Sequence, residues 1–275
     1  MKRMRYVVLA VCLTVVAATA AVAQDWQVVE DHEWCEDRGA SITFCEVREV
    51  TLSAWGDVKI KTTNGGIHVE SWDRDEIRVV ARIRVRGGSE SSARETVEKL
   101  KLYAGEDGIH VKGPKKSGLL GFFKGRDWSV SFHVYVPGDT DVAARTTNGG
   151  IHIEGVSGDL DFATTNGGVT VFNASGNVSG ETTNGGVTVT LVSQGFHGER
   201  VDLHTTNGGI NVGLPDEISA RIDASVVNGG VSVEHPVKIQ EKSRRRFKGT
   251  IGDGTQLELR VRTTNGGVHF RRLDA

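Results

Sequence analysis

Two aspartates, Asp202 and Asp223, are the candidates for the acidic groups that a glycan-cleaving enzyme would bring together. Each stands five residues before the asparagine of a repeated pentapeptide, in successive units. If the units stack, the two carboxylates would be neighbours and could act as general acid and base on an acidic polysaccharide. On the exposed face of a strand, however, such residues are more often solvated charges. Since the chain contains no GxSxG, HExxH or Walker-type sequence, we predict no catalytic residue and no enzyme activity.

Two histidines at a second repeated position, His68 and His152, are the best candidates for metal ligands. They lie four residues after the asparagines of the first two units and would stack if the long segment between these units loops out. Two imidazoles without a third ligand make a poor zinc site. The equivalent positions of the other units hold Thr170, Thr188, Asn211, Ser232 and His269. We therefore predict an exposed polar column, with no metal and no cofactor.

Two basic segments outside the repeats could contact anionic surfaces. Residues 112–126 contain a Leu-Leu-Gly-Phe-Phe run flanked by cations, and such a mixture suits a membrane surface or an anionic polymer. Residues 242–248 read Lys-Ser-Arg-Arg-Arg-Phe-Lys and could contact phosphate-bearing envelope polymers. The candidate binding residues are Lys115, Lys116, Phe122, Phe123, Lys124, Arg244, Arg245 and Arg246. The alternatives are burial of the apolar run against the rest of the protein and, for the second segment, a solvated loop.

The overall composition excludes several classes of protein. With 33 Lys and Arg against 35 Asp and Glu, the net charge is −2, whereas a nucleic-acid-binding protein usually carries a net basic footprint. At 38% hydrophobic and 25% charged residues, the chain is neither disordered nor an integral membrane protein. Fourteen of its 35 glycines lie in seven copies of the pentapeptide. This concentration of glycine identifies a repeat protein.

The pentapeptide marks seven units of one repeat. Six copies read Thr-Thr-Asn-Gly-Gly, and one copy, residues 226–230, has Val-Val in place of Thr-Thr. The repeat asparagines are Asn64, Asn148, Asn166, Asn184, Asn207, Asn228 and Asn265. Their successive spacings are 84, 18, 18, 23, 21 and 37 residues, and periods near 20 are typical of stacked solenoids. The two longest spacings therefore contain insertions.

Aliphatic and polar residues alternate on both sides of the pentapeptide in every unit. In the unit of Asn184, for example, Val178 lies six residues before the asparagine, and Val187 and Val189 lie three and five residues after it. This period of two predicts two half-buried strands per unit. The Asn-Gly corner between them tolerates positive φ, which fits either a two-residue hairpin or a solenoid corner.

Two architectures are compatible with this pattern, a β-helix-like solenoid and a twisted antiparallel meander. A unit of 18 residues is too small to bury its own core, whereas stacked units bury continuous aliphatic columns. Stacking would also align the Thr and Asn side chains into hydrogen-bonded ladders, while a lone hairpin needs only Asn-Gly. We therefore favour an all-β, β-helix-like solenoid of short repeated strand pairs and keep the meander as the alternative.

The longest spacing has secondary structure of its own. Residues 76–86 alternate as a strand, Val97, Leu100 and Tyr103 at helical spacing predict one inserted α-helix near residues 89–102, and two more strands follow. We expect four parts in the chain. They are a signal peptide at residues 1–23, an N-terminal disulfide-containing cap segment at 24–56, a β-strand-repeat domain at 57–272 and, within that domain, an insertion at 71–140.

The first residues are typical of an export signal. Cations at positions 2, 3 and 5 precede an apolar stretch, and Ala21-Val22-Ala23 has the small-x-small pattern that places the cut before Gln24. A membrane anchor is the alternative, although the 17 residues from Val7 to Ala23 are short for one. No second apolar span follows. We therefore expect an exported chain, periplasmic or extracellular, that is soluble after cleavage.

Cleavage before Gln24 would remove Cys12 and leave two cysteines, Cys35 and Cys45. In an oxidising compartment these two are expected to form a disulfide. A disulfide that closes so short a loop contributes about 2–3 kcal/mol. A two-cysteine metal site is the alternative, but neither a CxxC motif nor a nearby histidine pair accompanies it.

These features resemble those of the bacterial putative-adhesin family of β-strand-repeat proteins. The resemblance covers about residues 45–272 and rests on the export signal, the early unit of Asn64, the strand–helix–strand insertion, Tyr135-Val136-Pro137 leading into residues 141–154, and the serial Thr-Thr-Asn-Gly-Gly units. The resemblance implies an extracytoplasmic β-solenoid without known catalysis. It assigns a functional role to no residue of this chain, because the family has no defined site.

We accordingly predict a structural or adhesive module of the cell envelope. A β-helix enzyme or binding protein that acts on anionic polysaccharide is the alternative. The expected partner is an envelope glycan, an anionic polymer or another surface protein. We expect no nucleic-acid binding, and membrane contact that is at most peripheral.

Overall fold

The computed structural model describes residues 26–29, 42–86, 89–114 and 127–273. These residues form two 11-stranded sheets, here called sheet A and sheet B, and a single α-helix. The predicted all-β fold class with one inserted helix is confirmed. The predicted signal peptide lies outside the described residues, as do Cys35, Lys115, Lys116, Phe122, Phe123 and Lys124. Within the described ranges, no helix is long and apolar enough to cross a membrane.

The elements follow the chain in this order. The N-terminal part contains β1 (Gln27–Val29), β2 (Ile42–Ser53), β3 (Asp57–Lys61), β4 (Ile67–Trp72), β5 (Glu76–Arg86), α1 (Glu90–Glu98), β6 (Lys101–Tyr103), β7 (Ile109–Lys112) and β8 (Asp127–Pro137). The central part contains β9 (Asp141–Asn148), β10 (Ile151–Glu154), β11 (Leu160–Asn166), β12 (Val169–Ala174), β13 (Val178–Asn184), β14 (Val187–Leu191), β15 (Arg200–Asn207) and β16 (Ile210–Leu214). The C-terminal part contains β17 (Ala220–Asn228), β18 (Val231–Val233), β19 (Lys238–Lys242), β20 (Arg246–Ile251), β21 (Leu257–Asn265) and β22 (Val268–Arg272).

Each repeat unit contributes one strand to each sheet and so forms one rung of a solenoid. The strand before the pentapeptide corner lies in sheet B, and the strand after it lies in sheet A. Neighbouring rungs pair in parallel with equivalent residues opposite each other, so that Val169 faces both Ile151 and Val187. A meander would pair its neighbours antiparallel. The parallel register therefore establishes the solenoid.

The rungs do not stack in chain order at the C-terminal end. The last unit, that of Asn265, lies between the units of Asn207 and Asn228, because β21 pairs with both β15 and β17 and β22 pairs with both β16 and β18. The Val-Val copy is thus the terminal rung. Its sheet B strand, β17, is covered by antiparallel β20 and then by β19, which hides an edge that could otherwise pair with another chain.

Two side-chain ladders run along the stack. The first threonine of the pentapeptide is buried, and after the first rung its Oγ1 donates a hydrogen bond to a glycine carbonyl of the neighbouring rung, as Thr182 does to Gly167 at 3.0 Å. In the first rung, Thr62 donates instead to the carbonyl oxygen of Val130 in β8. The repeat asparagines form the second ladder, in which each Nδ2 after the first rung donates to the Oδ1 of the asparagine one rung closer to the cap at 2.8–2.9 Å. Along the stack their order is Asn64, Asn148, Asn166, Asn184, Asn207, Asn265 and Asn228. The asparagine ladder is exposed, so only the threonine ladder satisfies buried polar groups.

The corner glycines are needed mainly because they have no side chain, and only in some copies because of an unusual backbone conformation. Of the pentapeptide residues, only Gly65 and Gly266 have positive φ, at 138° and 154°, and none of the seven repeat asparagines, all of which are described, does. The positive-φ corner expected from Asn-Gly is therefore wrong for most copies. A Cβ on Gly167 would instead lie 2.0 Å from the carbonyl oxygen of Gly149 in the neighbouring rung. The first corner glycine is needed because two backbones approach each other closely there.

The segment between the first two units caps the first rung. β8 pairs in parallel with β4, with Phe132 opposite Ile67, and β7 pairs in parallel with β3. Beyond β8, the strands β5 and β2 extend sheet A in antiparallel fashion. Strand β2 of the predicted cap segment therefore shares a sheet with β5 and β8 of the predicted insertion. This arrangement also places β8 within sheet A, directly beside the repeat strand β4.

Helix α1 is shorter than the sequence predicts. It begins after Ser89, whose side chain accepts a hydrogen bond from the backbone N–H of Ser92, as an N-cap residue does. Its buried face consists of Ala93, Thr96 and Val97. The helix ends at Glu98 instead of near residue 102, because Lys101–Tyr103 pairs with β7 as strand β6. Strand pairing of this last segment overrides its helical spacing.

Candidate functional site

Three histidines lie side by side on the outer face of sheet A, next to the cap. His133 of β8 faces His68 of β4, and His68 faces His152 of β10. The rings of His68 and His133 are stacked, with centroids 4.2 Å apart and an interplanar angle of 4°, whereas His68 and His152 meet edge to face at 4.6 Å and 90°. We call His133, His68 and His152 the histidine row.

Sequence reasoning found two members of this row and missed His133, which belongs to the insertion and to no repeat unit. The missed signal is local: Phe132-His133-Val134 has the same apolar–histidine–apolar pattern as Ile67-His68-Val69. The parallel pairing of β8 with β4 turns that similarity into contact. The predicted pair of stacked imidazoles is therefore a row of three.

Two carboxylates lie beside the row. Glu70 follows His68 by two residues in β4, and Glu154 follows His152 by two residues in β10. The two glutamates face each other in the parallel register. The Nε2 atom of His133 lies 3.3 Å from Oε2 of Glu70, and the Nε2 atom of His152 lies 3.5 Å from Oε2 of Glu154. The ligand atoms of His68, His152 and Glu154 all lie within 4.8 Å of one another, and so do those of His68, Glu70 and His133. Each set combines imidazole and carboxylate donors, which suit a transition-metal ion.

The central histidine is held in its neutral form. Burial, followed by the neighbouring His133 and His152, lowers the pKa of His68 to about 4. Burial also lowers the pKa of His133, although its hydrogen bond to Glu70 acts in the opposite direction. The Nε2 atom of His68 is buried and has no hydrogen-bond partner among the described residues. At neutral pH His68 and His133 are therefore uncharged imidazoles, which are the form that binds metals.

Aromatic and arginine side chains continue this face beyond the histidine row. The ring of Tyr135 stacks on His133 at 4.3 Å and lies 5.5 Å from the ring of Trp72. The guanidinium of Arg78 lies over Tyr135, and that of Arg74 lies over Trp72, at 5.4 and 4.9 Å from the ring centroids. We call Trp72, Arg74, Arg78 and Tyr135 the aromatic–arginine surface.

The structure separates the two aspartates that stacking was expected to bring together. Asp202 faces Arg260 on one side of β21, and Asp223 faces Arg260 on the other. The inserted last rung thus places a guanidinium between the two carboxylates. Asp223 is contacted instead by Arg246 and Lys248, at 3.4 and 3.8 Å. The expected neighbouring carboxylate pair is therefore wrong, and the cause is the order of the rungs.

The second basic segment lies at the turn between β19 and β20, far along the stack from the cap. The side chains of Arg244, Arg245 and Arg246 are exposed. Arg246 contacts Asp223 and Glu241, so part of its charge is compensated locally. Of the first basic segment, Lys115, Lys116, Phe122, Phe123 and Lys124 lie outside the described residues. Anionic-surface binding by either segment stays a prediction.

The outer face of sheet B carries a shallow groove of about 290 Å³ beside the pentapeptides. Its walls carry charges of both signs, with Lys61 and Arg145 on β3 and β9 at one end and Glu181 on β13 further along the stack. Arg145 also forms an ion pair with Asp161. Repeat threonines line the remainder. Because cations and anions are mixed, this groove selects no charge class of ligand.

Comparison with solved structures finds distant similarity. A putative cell adhesion protein from Clostridium sporogenes has 9% identity and a TM-score of 0.46, over 82% of this chain and 100% of its own. A putative adhesin from Bacteroides fragilis has 11% identity and a TM-score of 0.35, over 83% and 97%. A putative lipid binding protein from Parabacteroides distasonis has 8% identity and a TM-score of 0.31, over 84% and 97%. No curated protein is significantly similar in sequence.

Comparison with family profiles gives a match over most of the chain. The Toastrack DUF4097 profile matches residues 46–271, a span that begins in β2, includes all seven repeat units and ends in β22. The matched span also agrees with the residues on which the resemblance to a strand-repeat family rests, so that resemblance is confirmed. The chain therefore belongs to the Toastrack DUF4097 family.

Proposed function

We propose that the protein is exported and serves as a non-enzymatic β-solenoid, a structural or adhesive module of the cell envelope that binds an envelope glycan. The aromatic–arginine surface is the observation that carries this proposal. Trp72 and Tyr135 are half-buried, so part of each ring remains accessible on the outer face of sheet A. Aromatic rings give large contact area with little loss of conformational freedom, and Trp, Tyr and Arg dominate binding energy at protein interfaces.

Arg74 favours a ligand that carries negative charge, whereas the charge of Arg78 is paired with Glu49. Arg74 is exposed and lies over the Trp72 ring. Arg78 is held by Glu49 through two hydrogen bonds of 2.6 and 2.7 Å, which fix its position above Tyr135. A guanidinium beside an aromatic face suits a sugar that bears a carboxylate, phosphate or sulfate group. An anionic glycan is therefore the ligand class that matches this surface.

The scaffold holds the surface in place before binding. Tyr135 stands on β8 and Arg78 on β5, and these two strands pair over their whole overlap. Trp72 stands at the end of β4, which pairs in parallel with β8, and its Nε1 donates a hydrogen bond of 2.8 Å to the carbonyl oxygen of Glu76. A surface that needs no reorganisation loses less conformational entropy on binding.

The alternative function is a β-helix enzyme or binding protein acting on anionic polysaccharide. Its enzymatic form requires an acid and a base that converge on one bond. In this chain Arg260 stands between Asp202 and Asp223, which leaves the nearest candidate pair interrupted by a cation. This geometry supports the binding function over the cleaving one.

Binding of the secreted chain to an array of purified bacterial envelope polysaccharides tests the proposal. We expect the wild-type protein to bind anionic members of the array. Tyr135→Ala and Trp72→Ala are each expected to weaken that binding by about 10-fold or more, as the loss of an interface anchor does. Phe172→Ala is the matched control, because this ring is 43% exposed on the same sheet but three strands from β8.

Two results of the array experiment would contradict the glycan-binding proposal. One is the absence of saturable binding by the wild-type chain, and the other is equal binding by wild type and Tyr135→Ala. Release of shortened glycan by the wild-type protein, abolished by Asp202→Asn, would instead support the enzymatic alternative.

Export and disulfide formation make one further prediction. Because the predicted cut lies before Gln24, the chain recovered from the envelope fraction or the medium should begin at that residue. Peptide mass spectrometry without reduction should then show Cys35 linked to Cys45, as expected in an oxidising compartment. Recovery of an uncleaved chain from the cytoplasmic fraction, or of both cysteines as free thiols in exported material, would count against this part of the proposal.

A further inference from the structure

The histidine row combines three features of a metal site that no repeat pattern explains. Imidazole nitrogens and carboxylate oxygens lie within 4.8 Å of one another in each of two three-residue sets that share His68. The Nε2 atom of His68 is buried, and it lacks a hydrogen-bond partner in the described part of the chain. We propose that His68, His152 and Glu154 bind a single divalent transition-metal ion of the Zn²⁺ class. This site goes beyond the proposed glycan binding and does not depend on it.

The donor set matches the chemistry of zinc. Two histidines and one glutamate are a known zinc ligand set, and they leave a fourth tetrahedral position for water or another ligand. Zinc–ligand distances of about 2.0–2.2 Å place the donor atoms about 3.3 Å apart in a tetrahedral site. The His152 and Glu154 donor atoms are already 3.5 Å apart. Small side-chain rotations of half-buried residues would complete the site.

Ring orientation favours His152 over His133 as the partner of His68. The lone pair of an imidazole nitrogen lies in the plane of its ring. The planes of His68 and His133 are parallel within 4°, so their lone pairs run side by side and do not meet at one point. The planes of His68 and His152 are perpendicular. Two perpendicular planes intersect along a line, and both nitrogens can direct their lone pairs toward one point on that line.

Charge favours the same choice. Arg78 and Arg82 are close enough to His133 to disfavour a positive charge on it, and they would disfavour a bound cation in the same way. His133 is also covered on both faces, by His68 and by Tyr135. A carboxylate lies beside the histidine at each end of the row, Glu70 beside His133 and Glu154 beside His152, and Arg78 and Arg82 offset the charge of Glu70. We therefore assign His133 and Glu70 the role of holding His68 in place by stacking and hydrogen bonding.

The site is tested by titrating Zn²⁺ into the chelator-treated full chain in the absence of glycan. Isothermal titration calorimetry measures the affinity and the number of ions bound. We expect one ion per chain. Loss of a direct ligand in His68→Ala or His152→Ala should weaken binding by about 100-fold or more, and Glu154→Gln by about 10-fold or more, since even supporting residues change metal affinity by about 10–100-fold. His269→Ala is the matched control, because this histidine occupies the same column four strands from β10 and contacts Ser232 at 2.6 Å.

A second readout separates loss of ligands from loss of fold. Zn²⁺ should raise the melting temperature of the wild type and of His269→Ala but not that of His152→Ala, whose side chain is 39% exposed in the wild type and so is removable without disturbing the core. Co²⁺ bound to the wild type should show the visible absorption bands of a tetrahedral site, and these should be absent in Glu154→Gln.

Three outcomes would overturn the assignment. They are the absence of saturable Zn²⁺ binding by the wild type, an equal loss of affinity in His269→Ala and His152→Ala, and a loss in His133→Ala that matches or exceeds that in His152→Ala. The last result would move the ion to the set formed by His68, Glu70 and His133. Retained glycan binding by His152→Ala, together with lost Zn²⁺ binding, would show that the two sites are separate.

Discussion

Gly167→Ala is expected to lower the free energy of unfolding by at least about 3 kcal/mol, the upper end for overpacking. A Cβ at this position would lie 2.0 Å from the carbonyl oxygen of Gly149 and 2.5 Å from its carbonyl carbon. Both atoms belong to the backbone of the neighbouring rung, whose strands β9 and β10 each pair in parallel with a strand on either side. The clash cannot be relieved by a side-chain rotation, so the rungs would have to separate at this corner.

Gly168→Ala is the matched control, one residue along the same corner. Its Cβ would lie 3.5 Å from the carbonyl oxygen of Gly186, which is an ordinary van der Waals contact. We expect this variant to change the free energy of unfolding by less than about 1 kcal/mol. Urea denaturation of both variants beside the wild type measures the difference. Similar stability losses in the two variants would contradict the close-approach explanation of the first corner glycine.

Phe162→Ala is expected to lower the free energy of unfolding by about 3–5 kcal/mol, the range for removing a large buried aromatic side chain. Phe162 is 1% exposed and lies between two small residues on the neighbouring strands, Ala144 and Gly180. Its ring occupies the space that their side chains leave, so its removal would open a cavity that fixed strands cannot close. Phe172→Ala, at an exposed aromatic, is the control and should stay within about 1 kcal/mol.

A double-mutant cycle tests whether Phe162 and Gly180 complement each other. A Cβ on Gly180 would lie 2.1 Å from Cε2 of Phe162. We therefore expect Gly180→Ala to lower stability by about 1–3 kcal/mol in the wild type and by clearly less in a Phe162→Leu background, since contacting residues couple by about 0.5–3 kcal/mol. The same loss in both backgrounds, measured by denaturant melts, would show that the two positions do not share one space.

Much of the architecture follows from the sequence alone. The period of two around each pentapeptide predicted the strands, because alternate side chains of a strand face opposite sides of a sheet. The identity of the units predicted parallel stacking, because like residues such as Val169 and Val187 bury each other when rungs are in register. The same identity led to the expectation that Thr and Asn would form ladders, and both ladders are present in the structure.

The order of the rungs did not follow from the sequence. Seven nearly identical units can stack in many orders with similar local contacts, so the pattern predicts neighbours in chain order by default. In the fold the unit of Asn265 lies inside the stack and the Val-Val copy lies at its end. That difference separates Asp202 from Asp223 by Arg260, and it thereby removes the carboxylate pair on which the enzymatic alternative depended.

The candidate sites also depended on tertiary structure, because the repeat pattern does not show which segments pair over long distances in the chain. A repeat pattern compares residues at equal positions in successive units, so it found His68 and His152. His133 and the aromatic–arginine surface come from the cap, and they reach the face of the repeats only because β8 pairs with β4 across more than 60 residues of chain. The repeat pattern alone was enough to predict the strands, the faces that they bury and the stacking of equivalent residues on one another. Which polar side chains meet depends on the long-range pairing of the cap and of the last rung. The sequence does not predict this pairing, because the repeat pattern specifies neither the cap strand that lies beside the first rung nor the order of the rungs.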